Sequence, residues 1–328
     1  MRLRVLECPR CGAPLPKRAA LVKVVCEYCQ SEITLERFAV KAAEYREALT
    51  DYSAANDPAI LLVGKVPIRR LARLATGHSS DVWRAERATR LSERLVLKLL
   101  RAPADEGLLQ NEQQVLKDLE RSTQRGADYF TTCLPQRVAF GQTRIASAAT
   151  TAAAFREPVG FAHTLSDLCR AFPHGVDARH IVWIWRRALE FLGWVHLSGK
   201  VHGAVLPDHL LINAPEHAVR LVGWSCAANR GSPLAVAAER DLDLYPKPLL
   251  NGGPLGPPSD LAMLARSLLV ALGSRSSVAP AHVPEPLGKL LEREAASGGE
   301  DAWRLNEEVS ACAKRCFGPP QFLKLDLP

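Results

Sequence analysis

The clearest alternation of apolar and polar positions lies at 94–100, RLVLKLL, where Leu95, Leu97 and Leu99 fall on one side of an extended chain and Val96, Lys98 and Leu100 on the other. This period of two predicts a strand with a single cation, Lys98, on an otherwise apolar face. Over 106–119 the period changes to that of a helix: Leu108, Val115, Leu116 and Leu119 form a stripe, and Glu112 lies on it rather than opposite it. A carboxylate turned toward a core needs a cation, because a buried unpaired charge is costly, so Lys98 is its expected partner. An exposed Glu112 paired along its own helix is the alternative. A longer helix is expected from an Asp177 N-cap to about Leu197, burying Ile181, Ile184, Trp185, Ala188, Leu189, Leu192 and Val195 and ending at Gly199. Ser259 and Asp260 read as the cap of a helix over 261–272, and shorter helices are expected near 287–294 and 303–316. The tail FGPPQFLKLDLP should be extended and pack back on its domain.

Nearer the N-terminus, a stripe at Phe38, Ala42, Tyr45, Leu49 and Tyr52 predicts a connecting helix, which Asn56-Asp57-Pro58 breaks. The expected organisation is a small module over 1–35, the connecting helix within 36–59 and a large domain over 60–328. With 47% apolar and 23% charged residues among 328, the chain can bury a sizeable core and carries no signature of disorder. The longest apolar run, 261–272, is interrupted by Arg266 and is too short for a bilayer, and the N-terminus lacks a secretory apolar core. No membrane partner is expected, and the expected location is cytoplasmic. Arginine exceeds lysine and alanine is abundant, which points by composition alone to a GC-rich bacterial genome.

The formal charge of +7 is modest for this length. Its densest cluster is Arg69, Arg70, Arg73, Arg84, Arg87, Arg90 and Arg94, on two neighbouring strands and the turn after them. Charge runs usually solvate an exposed face, so nucleic-acid binding there is the less favoured reading.

Two C-x-x-C pairs, Cys8/Cys11 and Cys26/Cys29, stand fourteen residues apart. Each pair sets two thiolates on one knuckle, and a hairpin made from the intervening LPKRAALVKVV would bring the knuckles around one Zn²⁺. The pattern resembles a zinc ribbon. A module of about 35 residues is too small to fold on a hydrophobic core, so the metal would supply much of its stability. Four thiolates close the coordination sphere, which makes the expected zinc structural and not catalytic. Cys133, Cys169, Cys226, Cys312 and Cys316 lack ligand spacing, except that the last two stand four apart on an expected helix, and all five read as core or surface thiols of a reducing compartment.

The stretch HGAVLPDHLLIN from His202 to Asn213, followed by VRLVGWS from 219, resembles the catalytic loop and metal-binding strand of the protein kinase superfamily. In that family the loop reads His-Arg-Asp, four residues, Asn, and the strand ends in Asp-Phe-Gly. The positions of the base and the two metal-holding groups are here Ala204, His209 and Gly223. A methyl accepts no proton, glycine offers no ligand, and imidazole is a poor ligand for a hard cation such as Mg²⁺. His209 is expected to fill space or to hydrogen-bond the backbone, and Asp208, Asp241 and Asp243 to be bystanders rather than relocated catalytic groups. Gly203 stands where the family has the arginine that grips an activating phosphate.

The resemblance extends over 60–328 and implies a bilobal α+β fold, with a β-rich small lobe over about 60–157 and a helical large lobe over about 158–328. The segment at 75–85 aligns with the glycine-rich loop, keeping only Gly77, with Val82 and Ala85 placed to roof and flank an adenine. Lys98 and Glu112 align with the lysine and glutamate of the nucleotide site, and Asp260 with the aspartate that holds the catalytic loop's backbone. Pro248 takes the place of a glutamate whose arginine partner is also missing, so that ion pair is lost as a unit. The resemblance therefore implies a pseudokinase, a scaffold or regulator working through protein partners, with ATP held weakly if at all. Its alternatives are an atypical serine/threonine kinase with displaced catalytic groups and, third, a nucleic-acid-binding zinc-ribbon protein.

Overall fold

The computed structural model describes residues 8, 10, 11, 23–26, 29–34, 60–145 and 148–327. Contacts divide the chain into two units, Met1–Pro58 and Ala59–Pro328. The connecting helix expected within 36–59 lies outside the described residues.

In the first unit a two-stranded antiparallel hairpin pairs β1 (Lys23–Val25) with β2 (Glu32–Thr34). The hairpin thus spans the second C-x-x-C pair, its turn carrying Cys26 and Cys29. Within that turn the Gln30 N–H donates to the Cys26 carbonyl at 2.9 Å, and the Cys26 N–H to the Ser31 carbonyl at 3.0 Å.

The second unit has the expected two lobes. The small lobe is a six-stranded antiparallel sheet ordered β3-β4-β5-β6-β8-β7, built from β3 (Ile60–Val63), β4 (Val66–Thr76), β5 (Ser80–Arg87), β6 (Arg90–Leu100), β7 (Arg137–Ile145) and β8 (Ala148–Arg156). One face is packed by Ile68, Ala85, Leu95, Leu97, Leu99, Ala152 and Ala154, the odd-numbered leucines of the alternating run among them. Helix α1 (Glu106–Glu120) follows β6 and buries Leu109, Glu112, Val115, Leu116 and Leu119. The stripe therefore passes through Leu109, whereas Leu108, its expected member, is only partly covered.

The large lobe is centred on α3 (Ala178–Leu197), which follows a short helix α2 (Leu165–Ala171). The Asp177 carboxylate caps α3 by accepting the Arg179 N–H at 2.8 Å, and each of the seven apolar positions expected inside is fully buried. Around it pack α4 (Pro257–Ala271), α5 (Glu285–Ser297) and α6 (Ala302–Phe317). Helix α4 starts earlier than expected, with Pro257 in its first turn and Ser259 Oγ bonded to the Gly256 N–H at 3.1 Å, so Asp260 lies inside the helix and is free to serve another element. Between α3 and α4 the chain forms β9 (Leu210–Asn213) and β10 (Ala218–Leu221), an antiparallel pair that presents the loop before it and the turn after it to the small lobe. The tail is extended: Leu325 is buried, Phe322 stacks on the His217 ring at 4.4 Å, and His217 Nε2 bonds the Leu323 carbonyl at 2.9 Å. Among the described residues no helix is long and apolar enough to cross a membrane.

Candidate functional site

The pairing expected from the two periodicities is present. Lys98 Nζ lies 2.5 and 2.8 Å from the two carboxylate oxygens of Glu112, with Lys98 nearly buried and Glu112 completely so. Glu112 Oε1 also accepts the backbone N–H of Trp224 at 3.0 Å, so the carboxylate is shared between the small-lobe strand and the turn after β10. Beside it, Asn111 Nδ2 donates to the carbonyls of Ser225 and Ala227 at 3.0 and 2.7 Å. Sequence reasoning missed Asn111, since its partners are main-chain atoms more than a hundred residues away that have no side-chain signature. The Trp224 indole is fully buried against His202 and Phe191, with ring centroids 4.6 and 5.9 Å apart, and its Nε1–H donates to the Leu221 carbonyl. Together these contacts hold α1 and the turn in one arrangement.

The loop at 202–209 is anchored by Asp260. Its carboxylate accepts the N–H groups of His202 and Gly203, each at 2.8 Å, and meets His196 Nε2 at 2.9 Å. Burial pushes this carboxyl up, but the hydrogen bond and charge of His196 and the contact with His202 outweigh it and hold it below the ordinary range. Burial drives the pKa of His202 down to about 3 against the opposing pull of Asp260, so its ring is neutral. Its Nε2–H donates to the Val222 carbonyl at 3.1 Å and its Nδ1 accepts the Ala204 N–H at 3.3 Å. Gly203 has φ +74°, and a Cβ there would lie 2.5 Å from the Cys226 carbonyl oxygen, so a side chain at this position is blocked.

Ala204, His209 and Gly223 form one packed unit. Ala204 is buried, and its carbonyl accepts the Nδ1–H of His209 at 2.8 Å. The other edge of the same imidazole rests on Gly223, which has φ +81°. A Cβ at Gly223 would lie 2.6 Å from His209 Cδ2 and Nε2. His209 thus both fills space and bonds the backbone, and burial lowers its pKa. Asp208 forms an ion pair with Arg240, which also reaches Asp241 at 3.7 Å, while Asp243 is exposed. Burial and the nearby Asp208 raise the Asp241 carboxyl, with Arg240 opposing. Among the described residues, no three of these groups bring their ligand atoms together as the four N-terminal cysteines do.

The strand register corrects one assignment. Val82 lies opposite Lys98 and shares its sheet face, but Ala85, three residues on with no intervening bulge, lies on the other face and packs in the small-lobe core. It cannot flank a ligand beside Lys98. Gly77 sits in a tight turn between β4 and β5, its N–H donating to the Ser80 carbonyl at 2.9 Å and its own carbonyl accepting from Arg101 at 3.2 Å. Pro248 is exposed and makes no ion pair. Instead Arg266, inside α4, donates to the carbonyls of Tyr245 at 2.6 Å and Ala295 at 2.7 Å, joining the segment before α4 to the end of α5. Five of the seven clustered arginines share three carboxylates: Arg69 and Arg94 pair with Glu86, Arg87 and Arg90 with Glu93, and Arg84 with Glu157, while Arg70 lies over the Trp83 ring.

In the first unit, Cys8, Cys11, Cys26 and Cys29 bring their sulfurs within 4.8 Å of one another, with Cys8–Cys29 and Cys11–Cys26 each 3.6 Å apart. Tetrahedral thiolates at Zn–S distances of about 2.3 Å stand about 3.8 Å apart, so the donor set and its spacing fit one zinc ion. Hydrogen bonding from the side chain and then the backbone of Ser31 lowers the Cys29 thiol to about 6, which favours the thiolate that a metal requires.

No family model matches the sequence, and no curated protein matches it. Among solved structures the chain is similar to one described as the structure of vaccinia related kinase 3, at a TM-score of 0.60 and 16% identity over 83% of this chain and 95% of that one. At this identity the likeness establishes the fold: the second unit is a protein-kinase-like bilobal domain, and it follows a cysteine-cluster module consistent with a zinc ribbon.

Proposed function

We propose that this chain is a pseudokinase, a kinase-like protein with little or no phosphoryl-transfer capacity that acts as a scaffold or regulator through protein partners. The observation that supports this most is the seating of the His209 ring on Gly223, which fills the space where a metal-holding side chain would have to project. Ala204 supplies no base nearby, and Asp208 is engaged by Arg240. Phosphoryl transfer depends on positioning and on metal-borne charge neutralisation, and both lack their usual groups here. The organisation we propose is a zinc ribbon over 1–35, a link over 36–59 and the kinase-like domain over 60–328. The zinc, bound by Cys8, Cys11, Cys26 and Cys29, is structural and leaves the ribbon free to present a surface. ATP binding is weak, resting on Lys98 and the apolar face beside it, because a triphosphate without metal keeps its full charge. A reducing cytoplasm, bacterial by composition, suits nine cysteines of which none forms a disulfide.

The retained Lys98–Glu112 pair favours a second reading, an atypical serine/threonine kinase. Labelled ATP with Mg²⁺ or Mn²⁺, given to the native chain and to Lys98→Ala, separates the two. The pseudokinase reading expects no lysine-dependent transfer to protein, and clear transfer lost in the variant would reject it.

A further inference from the structure

The face of the small-lobe sheet that carries Lys98 can be followed residue by residue. Val82 pairs with Lys98, Arg84 with Val96, Val96 with Phe155, and Lys98 with Ala153. Directly opposed residues share a face, so Val82, Arg84, Val96, Lys98, Ala153 and Phe155 line one surface. Phe155 and Ala153 are buried in the large-lobe core, whereas Val82 and Val96 remain partly open. This leaves an apolar patch with Lys98 at one end. At the other end Arg84 Nε donates to Glu157 Oε1 at 3.0 Å, across from β5 to the turn that leaves β8.

That turn offers a ligand little else. The Arg156 N–H donates to the Gln136 carbonyl at 2.8 Å, the Glu157 N–H to the Arg94 carbonyl at 3.0 Å, and Pro158 has no N–H. A flat base entering over Val82 and Val96 would find the main-chain donors at 156–158 already used and a guanidinium–carboxylate pair across its path.

We propose that the Arg84–Glu157 pair is a latch at the base-binding end of the Lys98 pocket, opposing entry of a purine nucleotide while leaving the phosphate end untouched. The proposal rests on the reading of this pocket as a weak nucleotide site, and it concerns occupancy rather than phosphoryl transfer. Both partners are partly exposed, so the latch is soft and its removal should strengthen binding about fivefold rather than a thousandfold.

The test is isothermal titration of the full chain with ATP and with inorganic tripolyphosphate, both without divalent metal, comparing the native chain with Arg84→Ala. The latch predicts about fivefold tighter ATP binding in the variant and no gain for tripolyphosphate. If the guanidinium acts only as an attractive cation, the variant weakens both ligands, and the proposal is overturned. Unchanged ATP affinity, or no ATP binding by either protein, overturns it equally. Glu157→Ala opens the same pair from its other side and stands in should Arg84→Ala fail to fold. Transfer assays run in parallel judge the pseudokinase reading separately, since a kinase could carry this latch and a pseudokinase could lack it.

Discussion

The imidazole of His209 sits where a side chain at Gly223 would have to be, 2.6 Å from the place its Cβ would take. A side chain at 223 and the His209 ring therefore compete for the same room. Gly223→Asp should destabilise the protein by about 2–4 kcal/mol, through the overlap and through a left-handed backbone that aspartate adopts less readily than glycine. Adding His209→Ala should restore about 1–2 kcal/mol by removing the overlap but not the backbone strain. Urea denaturation of the four proteins in the cycle measures this, and strict additivity would show that the contact does not matter.

Lys98 should be needed for stability in the absence of any nucleotide. Its ammonium is the charged partner of the fully buried Glu112 carboxylate, which otherwise keeps only the Trp224 N–H. Lys98→Met should cost about 3–5 kcal/mol, the usual penalty for orphaning a buried charge, and Lys98→Met with Glu112→Gln should cost clearly less because the uncompensated charge is gone. The check is chemical denaturation without ligand. A Lys98→Met protein as stable as the parent would mean that the pair has no structural part.

Acid should weaken the fold well above the carboxylate range. Folded His202 is held down to about 3, mainly by burial, whereas in the unfolded chain an imidazole titrates near about 6.5. Between these values the unfolded state binds the extra proton, so stability is present above about pH 6.5 and is lost as pH falls toward 3, by up to about 1.4 kcal/mol per unit for one such group. His180 and His209, also lowered by burial, act in the same direction, as does Asp260 at the acid end. Denaturant midpoints measured from pH 7 to pH 4 should fall steadily, and His202→Gln should flatten the slope. A slope that the variant leaves unchanged would assign the proton uptake elsewhere.

Zinc should be present at one ion per chain in protein purified without chelator, and Cys26→Ser should abolish it. The four sulfurs already stand within 4.8 Å. A measured zinc content near zero in freshly purified protein, with thiols reduced, would count against the site.

Much of this was written in local pattern. The alternation at 94–100 and the helical stripe at 106–119 were enough to bring Lys98 and Glu112 together, because strand pleat and helix face are local properties that tertiary packing preserved. The cysteine spacing was legible for the same reason. Ala85 was misplaced because a motif alignment ignores parity, and the pleat sends a residue three positions from Val82 to the opposite face. Leu108 and Leu109 are adjacent on the helix, and which of them turns inward depends on how α1 rolls against the sheet, which no local rule fixes. Asn111 and Arg266 were invisible as anchors because they bond carbonyl oxygens, which every residue possesses.

Arg266 is the consequence of that blind spot that is most open to test. The resemblance to the kinase superfamily implies only a loss here, Pro248 in place of a glutamate with no arginine to match, as if two segments were left untied. The guanidinium of Arg266 joins those segments from inside α4, holding the Tyr245 and Ala295 carbonyls at 2.6 and 2.7 Å. One cation on a rigid helix thus bonds two main-chain acceptors on separate segments. Burial lowers the pKa of the group, so both bonds form in a partly desolvated setting where a charged donor counts for more than at the surface. Arg266→Met keeps most of the aliphatic stem and deletes the donors, and should cost about 2–4 kcal/mol. The loss should be felt first in the segment before α4, where Arg230 and Arg240 are exposed to trypsin. Limited proteolysis of the variant should therefore cut there at a lower protease concentration than in the parent. If cleavage instead begins elsewhere, or the pattern is unchanged, the bridge does not hold the segment.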